Sequence, residues 1–155
     1  MSRRNQISYF PAEPGEPPPL PAEVSRRVRF EEVDPLSIVW HGRYASFFED
    51  GREAFGAKYG LSYQDMRREG FMAPVVKLHV EYHNPLAFPD EFLISAQLHW
   101  TEAVRLNFTY RILGARGEVI ATGYTVQLIL NGERQLLVVR PEYLERFWRR
   151  WQACL

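Results

Sequence analysis

Between Val76 and Leu130 the chain passes through four segments in which apolar and polar side chains alternate with period two. These are Val76 to Tyr82, Phe92 to Trp100, Val104 to Ile112 and Ile120 to Leu130. Successive side chains of a strand point to opposite faces, so each segment reads as a strand with one apolar face. Just ahead of them the period changes. Tyr44, Phe47, Phe48, Gly51, Ala54, Phe55 and Tyr59 recur at i, i+3, i+4 spacing, while Glu49, Asp50, Arg52, Glu53 and Lys58 fall largely off that stripe. A helix with so wide an apolar face needs a concave apolar partner, and the strands supply one. The pattern therefore predicts an α+β fold: one antiparallel β-sheet wrapped around a long central helix.

Flanking signals complete the outline. Val24, Arg26, Val28 and Phe30 alternate with Ser25, Arg27, Arg29 and Glu31 as a short first strand. Gly51 on the buried helix face leaves room for close approach of another backbone, and Gly60 suits a left-handed helix cap. Ser62-x-x-Asp65 reads as a capping box that opens a second, short helix closed by Gly70. In the strand from Ile120, the residues Thr122, Tyr124, Val126, Leu128 and Leu130 share a face with Ile120. Gly114 to Gly117 makes one turn, and Asn131-Gly132 reads as a two-residue hairpin turn before a last strand, Gln135 to Val139. Pro141 stands at the first position of a final helix whose apolar stripe is Leu144, Phe147, Trp148 and Trp151.

Residues 9–22 carry six of the eleven prolines, which favours an extended polyproline conformation and sets off residues 1–23 as an extension from a single domain at 24–155. Such a segment is either a mobile tail or an arm laid over a neighbouring subunit, with Tyr9 and Phe10 as anchors. Nineteen basic residues balance nineteen acidic ones, so no net field steers the chain to nucleic acid or an anionic membrane. The one cysteine, Cys154, allows neither an internal disulfide nor a cysteine-based zinc site. There is no apolar run long enough to span a bilayer and no apolar signal core after Met1-Ser2-Arg3-Arg4, which makes a cytoplasmic location the expectation.

The chemistry concentrates in Val33-Asp34-Pro35-Leu36-Ser37-Ile38-Val39-Trp40-His41-Gly42-Arg43-Tyr44, followed by Phe47-Phe48-Glu49-Asp50-Gly51-Arg52. One carboxylate lies just before an amphipathic helix. The helix N-terminus offers unpaired N–H groups to an oxyanion while the carboxylate attacks or activates water. Taken alone, Asp34 has a plainer reading, since Asp-Pro pairs start turns and the carboxylate can satisfy local N–H groups. The stretch resembles the active-site motif of hotdog-fold acyl-CoA thioesterases of the 4-hydroxybenzoyl-CoA thioesterase-like family. The likeness continues through Val75 to Tyr82, Asn84-Pro85 and Asp90, and covers about Arg26 to Trp151.

The resemblance implies a hotdog fold, hydrolysis of an acyl-CoA thioester without cofactor or metal, and a homodimer or homotetramer with each site completed across an interface. It places the catalytic carboxylate at Asp34, as nucleophile or general base, and the oxyanion-binding amide at His41. Trp40, Tyr44, Phe47 and Phe48 are the acyl-binding candidates. In two places the chain departs from the family: Ser37 replaces a usual glycine, and Phe30 stands where some members carry tyrosine. These departures leave open a non-catalytic hotdog protein that binds acyl-CoA or acyl-carrier-protein thioesters. Glu49 and Asp50 are the alternative carboxylates, otherwise engaged in ion pairs such as Glu49 with Arg52. His79, His83 and His99 lack metal-ligand spacing. Arg43, Lys77, Arg105 and Arg111 are the cations available to coenzyme A phosphates, and the sheet face bearing Arg105, Asn107, Thr109 and Arg111 is expected to meet solvent or another dimer.

Overall fold

The computed structural model describes residues 8–153. Five strands, β1 (Leu20–Arg27), β3 (Val75–Tyr82), β4 (Glu91–His99), β5 (Arg105–Gly114) and β6 (Val119–Leu128), form one antiparallel sheet in the order β1-β4-β5-β6-β3. Helix α1 (Tyr44–Tyr59) lies in its concave face. The contact is aromatic: Phe48 stacks on Tyr110 with ring centroids 4.5 Å apart, Phe55 meets Phe108 edge-on at 5.0 Å, and Phe47 meets Phe92 at 4.8 Å. Each such buried ring contributes about 1.5–3 kcal/mol by removal from water. Gly51 is what lets α1 settle here, because a Cβ on it would lie 2.9 Å from the Ile94 side chain and 3.3 Å from that of Ala96.

The remaining elements close the ends of this layer. Gly60 caps α1 in the left-handed region, and Ser62 and Asp65 form the reciprocal capping box of α2 (Tyr63–Arg68). The two short strands β2 (Phe71–Met72) and β7 (Leu130–Asn131) pair with each other. Helix α3 (Glu142–Gln152) buries Leu144, Phe147, Trp148 and Trp151, and Pro141 is its N-cap residue, one position earlier than its sequence suggests. Indole N–H groups pin α3 in place, that of Trp148 donating to the Thr101 carbonyl and that of Trp151 to the Pro18 carbonyl. Cys154 lies outside the described residues.

Several expectations from sequence are corrected. The first strand begins at Leu20, not Val24, so it starts inside the proline-rich extension; Pro21 is tolerated because β1 is an edge strand, where a missing N–H costs no ladder bond. Tyr9 and Phe10 anchor the extension to the chain's own sheet. The Tyr9 ring packs on His79 and Tyr124, its hydroxyl lies 3.4 Å from the Thr122 hydroxyl, and Phe10 packs on His99 and Tyr124. That convex surface exists because β6 is oriented opposite to its hydrophobic alternation. Ala121, Gly123, Thr125 and Gln127 share the register of Ile112, Tyr110, Phe108 and Leu106 and face α1, leaving Thr122, Tyr124, Val126 and Leu128 on the convex side. On the same face Asn107 is buried and Thr109 half-buried, so of the four residues expected to meet solvent or a neighbour only Arg105 and Arg111 are exposed.

Arg52 departs from its sequence reading too. It turns into the core, 1% exposed, where its Nε donates to Gln127 Oε1 at 3.2 Å and its Nη1 to the Leu61 carbonyl at 2.9 Å. The guanidinium also lies over the rings of Phe108 and Tyr63 at 4.8 and 4.9 Å, and burial pulls its pKa below the ordinary value. Gln127 explains the inward turn, because a polar side chain on the concave face of β6 leaves a buried acceptor for Arg52 to satisfy. A further difference lies at the end of the sheet. Asn131 closes a longer turn, its side chain accepting from the N–H groups of Glu133 and Gln135, with Arg134 at φ 61°. Residues 135–139 make only a single bridge, Leu136 to Leu130, instead of a strand.

Candidate active site

The segment carrying Asp34 is a closed loop. Val33 and Val39 bridge antiparallel, the Asp34 N–H donates to the Ile38 carbonyl at 2.9 Å, and the Ser37 N–H donates to the Asp34 carbonyl at 2.9 Å. The loop is tied to its surroundings by Val39 N–H to the Leu86 carbonyl and Trp40 N–H to the Glu32 carbonyl. Ser37 sits at φ 65°, the left-handed region that favours glycine. The loop thus needs the conformation a glycine would supply, and serine adopts it.

Within this loop the Asp34 carboxylate is half-buried. One oxygen accepts the Leu36 N–H at 2.8 Å, which fixes the side chain; the other has no hydrogen-bond partner among the described residues. The turn reading of Asp34 accounts for one oxygen and leaves the other uncommitted. Beneath the loop lies a cluster that the sequence did not reveal. Arg26 of β1 pairs with buried Glu32 at 3.3 Å and with Asp50 of α1, and Glu32 Oε1 accepts the Arg29 N–H at 2.7 Å. Its sequence signal is slight, a basic residue in a strand and an acidic one six positions on, and nothing in that spacing predicts burial. Asp50 is thereby spent on an ion pair, and Glu49 accepts from the Tyr63 hydroxyl at 3.2 Å instead of pairing with Arg52.

Seven residues beyond Asp34 the backbone turns into α1 through a short 3-10 turn, His41–Arg43. The N–H groups of His41 and Gly42 precede the first intrahelical bond and donate to no acceptor among the described residues. They are the available anion donors at this helix start. The His41 side chain is exposed and its ring lies 5.2 Å from that of Trp40. Trp40 is half-exposed and folds back over Gly42, where a Cβ would come within 2.3 Å of the indole. Tyr44, Phe47 and Phe48 are buried below. Burial pushes the Tyr44 phenol up to about 12, with nearby Tyr82 adding to the effect.

The other expected residues do not gather here. Arg105 and Arg111 lie on the convex face of β5, and Lys77 lies on exposed β3. Arg43, at the helix start, donates to the Glu31 carbonyl. The histidines face Glu81, Thr122 and Thr109 in the case of His79, His83 and His99 respectively. A groove of about 460 Å³ opens between β1 and α1, walled by Val24, Arg26, Arg29, Asp50 and Glu53 among others; neither Asp34 nor His41 contributes to it. Around Asp34 the surface carries exposed apolar side chains, Phe30 against Phe88 with ring centroids 5.9 Å apart, and Leu36.

An antiparallel sheet wrapped around one long helix is the hotdog architecture. The comparisons agree: residues 28–147 match the model of the thioesterase-like superfamily, and the chain belongs to that family. It is 29% identical over 94 residues to the acyl-CoA thioester hydrolase YbgC of Escherichia coli O157:H7, a match covering 61% of this chain and 70% of the relative. Among solved structures, a hypothetical protein from Aquifex aeolicus superposes with a TM-score of 0.72 at 27% identity, covering 79% of this chain and 96% of that one. The DHNA-CoA thioesterase from Staphylococcus aureus gives a TM-score of 0.78 at 24% identity, with coverage of 86% and 91%, and shows the same fold. Among the described residues no helix is long and apolar enough to cross a membrane.

Proposed function

We propose that the chain hydrolyses an acyl-CoA thioester to the free carboxylic acid and coenzyme A. The observation that carries this reading is the Asp34 carboxylate, fixed through one oxygen and free at the other, in a loop that leads within seven residues to the unpaired N–H groups at the start of α1. The thioester carbonyl sits with its oxygen on the His41 amide. Asp34 either attacks the carbonyl carbon, giving a mixed anhydride and expelling the CoA thiolate, or removes a proton from a water that does so. The donors are already aimed and need no reorganisation as charge develops on the oxygen. The acyl chain meets Trp40, with Tyr44, Phe47 and Phe48 as the floor beneath it.

The active unit in this reading is at least a dimer. β3 is an edge strand with Val76, Leu78 and Tyr82 each about half exposed, and a second copy pairing there covers that surface and completes the wall of the site that one chain leaves open. A thiol-reagent assay with short-chain, long-chain and aromatic CoA esters tests the activity. Asp34→Asn, which preserves shape but can neither attack nor take a proton, lowers kcat by roughly 10²-fold or more. Hydrolysis of the best ester by this variant at close to the parent rate removes Asp34 from the mechanism. A parent protein that binds CoA esters but turns none over favours the non-catalytic binding role.

A further inference from the structure

We propose that Tyr82 is a positioning residue for the oxyanion-binding peptide units at the start of α1, an inference that rests on the catalytic reading of Asp34 and His41. Its hydroxyl donates to the His41 carbonyl oxygen at 2.7 Å, reaching from the last residue of β3 across 41 positions of sequence to the 3-10 turn. The ring is held edge-on against Tyr44 with centroids 4.9 Å apart, and Tyr44 is itself buried in the first turn of α1. Direction and reach of the hydroxyl are therefore set by packing.

The chemistry follows from the geometry of a peptide unit. The His41 carbonyl and the Gly42 N–H belong to one rigid plane and point in opposite directions, so a donor bonded to the carbonyl fixes the heading of the N–H. It also polarises the unit and makes the N–H a stronger donor, since linked hydrogen bonds reinforce one another. The preceding unit is treated the same way. The Trp40 carbonyl accepts the Arg43 N–H at 2.9 Å, and that unit's N–H is His41's, the oxyanion donor proposed above. Two adjacent free N–H groups are thus each backed by a hydrogen bond on the far side of their peptide, one from the main chain and one from Tyr82. The backbone supplies the first wherever a helix begins, whereas the second needs a tyrosine delivered by a different strand. Because that strand is the open edge of the sheet, a second copy docking on β3 would bear on the same hydroxyl.

Tyr82→Phe keeps the ring and its contact with Tyr44 and removes only the donor. With the best acyl-CoA substrate, kcat falls about fivefold while KM changes by less than about twofold, as loss of an interaction made in the transition state requires. Two non-hydrolysable ligands give a readout that a merely structural role would not move: a CoA ketone with difluoromethylene in place of the thioester sulfur, whose hydrate has the tetrahedral shape of the intermediate, and an S-alkyl-CoA lacking the carbonyl. The variant weakens the ketone and leaves the S-alkyl compound unchanged. Equal weakening of both ligands, or a kcat equal to the parent's, overturns the proposal. Asp34→Asn is assayed alongside. If that variant is impaired and Tyr82→Phe is not, the positioning role alone falls; if Asp34→Asn retains full activity, the catalytic reading falls and the proposal with it.

Discussion

Gly123 in the middle of β6 offers a sharp test of how α1 and the sheet are fitted. A Cβ there would lie 2.1 Å from the His79 carbonyl oxygen on the neighbouring strand and 2.6 Å from Cε2 of Phe48. Were the position open, Gly123→Ala would stabilise by about 0.5–1 kcal/mol, because glycine in a strand loses more backbone freedom than alanine. Here two penalties outweigh that gain. The Phe48 ring is stacked on Tyr110 at 8° and has no room to retreat, so overpacking costs about 1–3 kcal/mol. Moving β3 away from β6 to admit a methyl group sacrifices one or two ladder bonds of about 1 kcal/mol each. The net expectation is destabilisation of about 1–4 kcal/mol, a large share of the 5–15 kcal/mol typical of a domain. Urea denaturation followed by tryptophan fluorescence measures it as a drop in midpoint at unchanged slope. A midpoint equal to or above the parent's refutes the close fit of helix, β6 and β3 described above.

Ser37→Gly relieves a left-handed residue at a cost in chain entropy, so thermal unfolding should show no loss and a gain of up to about 1 kcal/mol, whereas Ser37→Val should lower both stability and activity by distorting the Asp34 loop. His99, half-buried beneath Phe10 and bonded to the Thr109 hydroxyl at 2.7 Å, has its pKa lowered by desolvation from the ordinary 6.5. The folded chain therefore binds fewer protons here than the unfolded one. Its contribution to stability is whole above the unfolded value near 6.5 and is lost as pH falls from there through the folded value. Urea denaturation should show stability falling as pH drops over that range in the parent and lose this dependence in His99→Gln.

The elements legible in the sequence are those whose patterns answer to one neighbour. The stripe from Tyr44 to Tyr59, the Ser62–Asp65 box, the Gly60 cap and the alternation of β4 and β5 all appear in the structure as their spacing suggests. The face of β6 is not legible from its alternation, because Gly123, Thr125 and Gln127 look like a solvent face, yet each is fitted to one partner: Phe48, Tyr110 and Arg52. Arg52 and Gln127 each make sense only with the other, and residues 75 positions apart carry no periodic sign of their pairing. The loop at Asp34 and the turn at His41 are legible as local structure because loop and helix start are contiguous in the chain. The bond from Tyr82 was not, since a tyrosine at the end of an alternating strand reads as packing and its hydroxyl acts in another element.

The two margins of the sheet are not alike. At β1, Pro21 has no N–H to offer and its carbonyl is already taken by the Lys58 ammonium and the Tyr59 hydroxyl, both at 2.8 Å. At β3, backbone and side chains are exposed along most of the strand. Head-to-tail stacking of many copies would require both margins to accept a partner, and at Pro21 the β1 margin offers neither a donor nor a free acceptor. If two copies pair through β3 as proposed above, lateral growth through the sheet would meet a β1 margin on either side, so the open edge would join two chains without seeding a fibre.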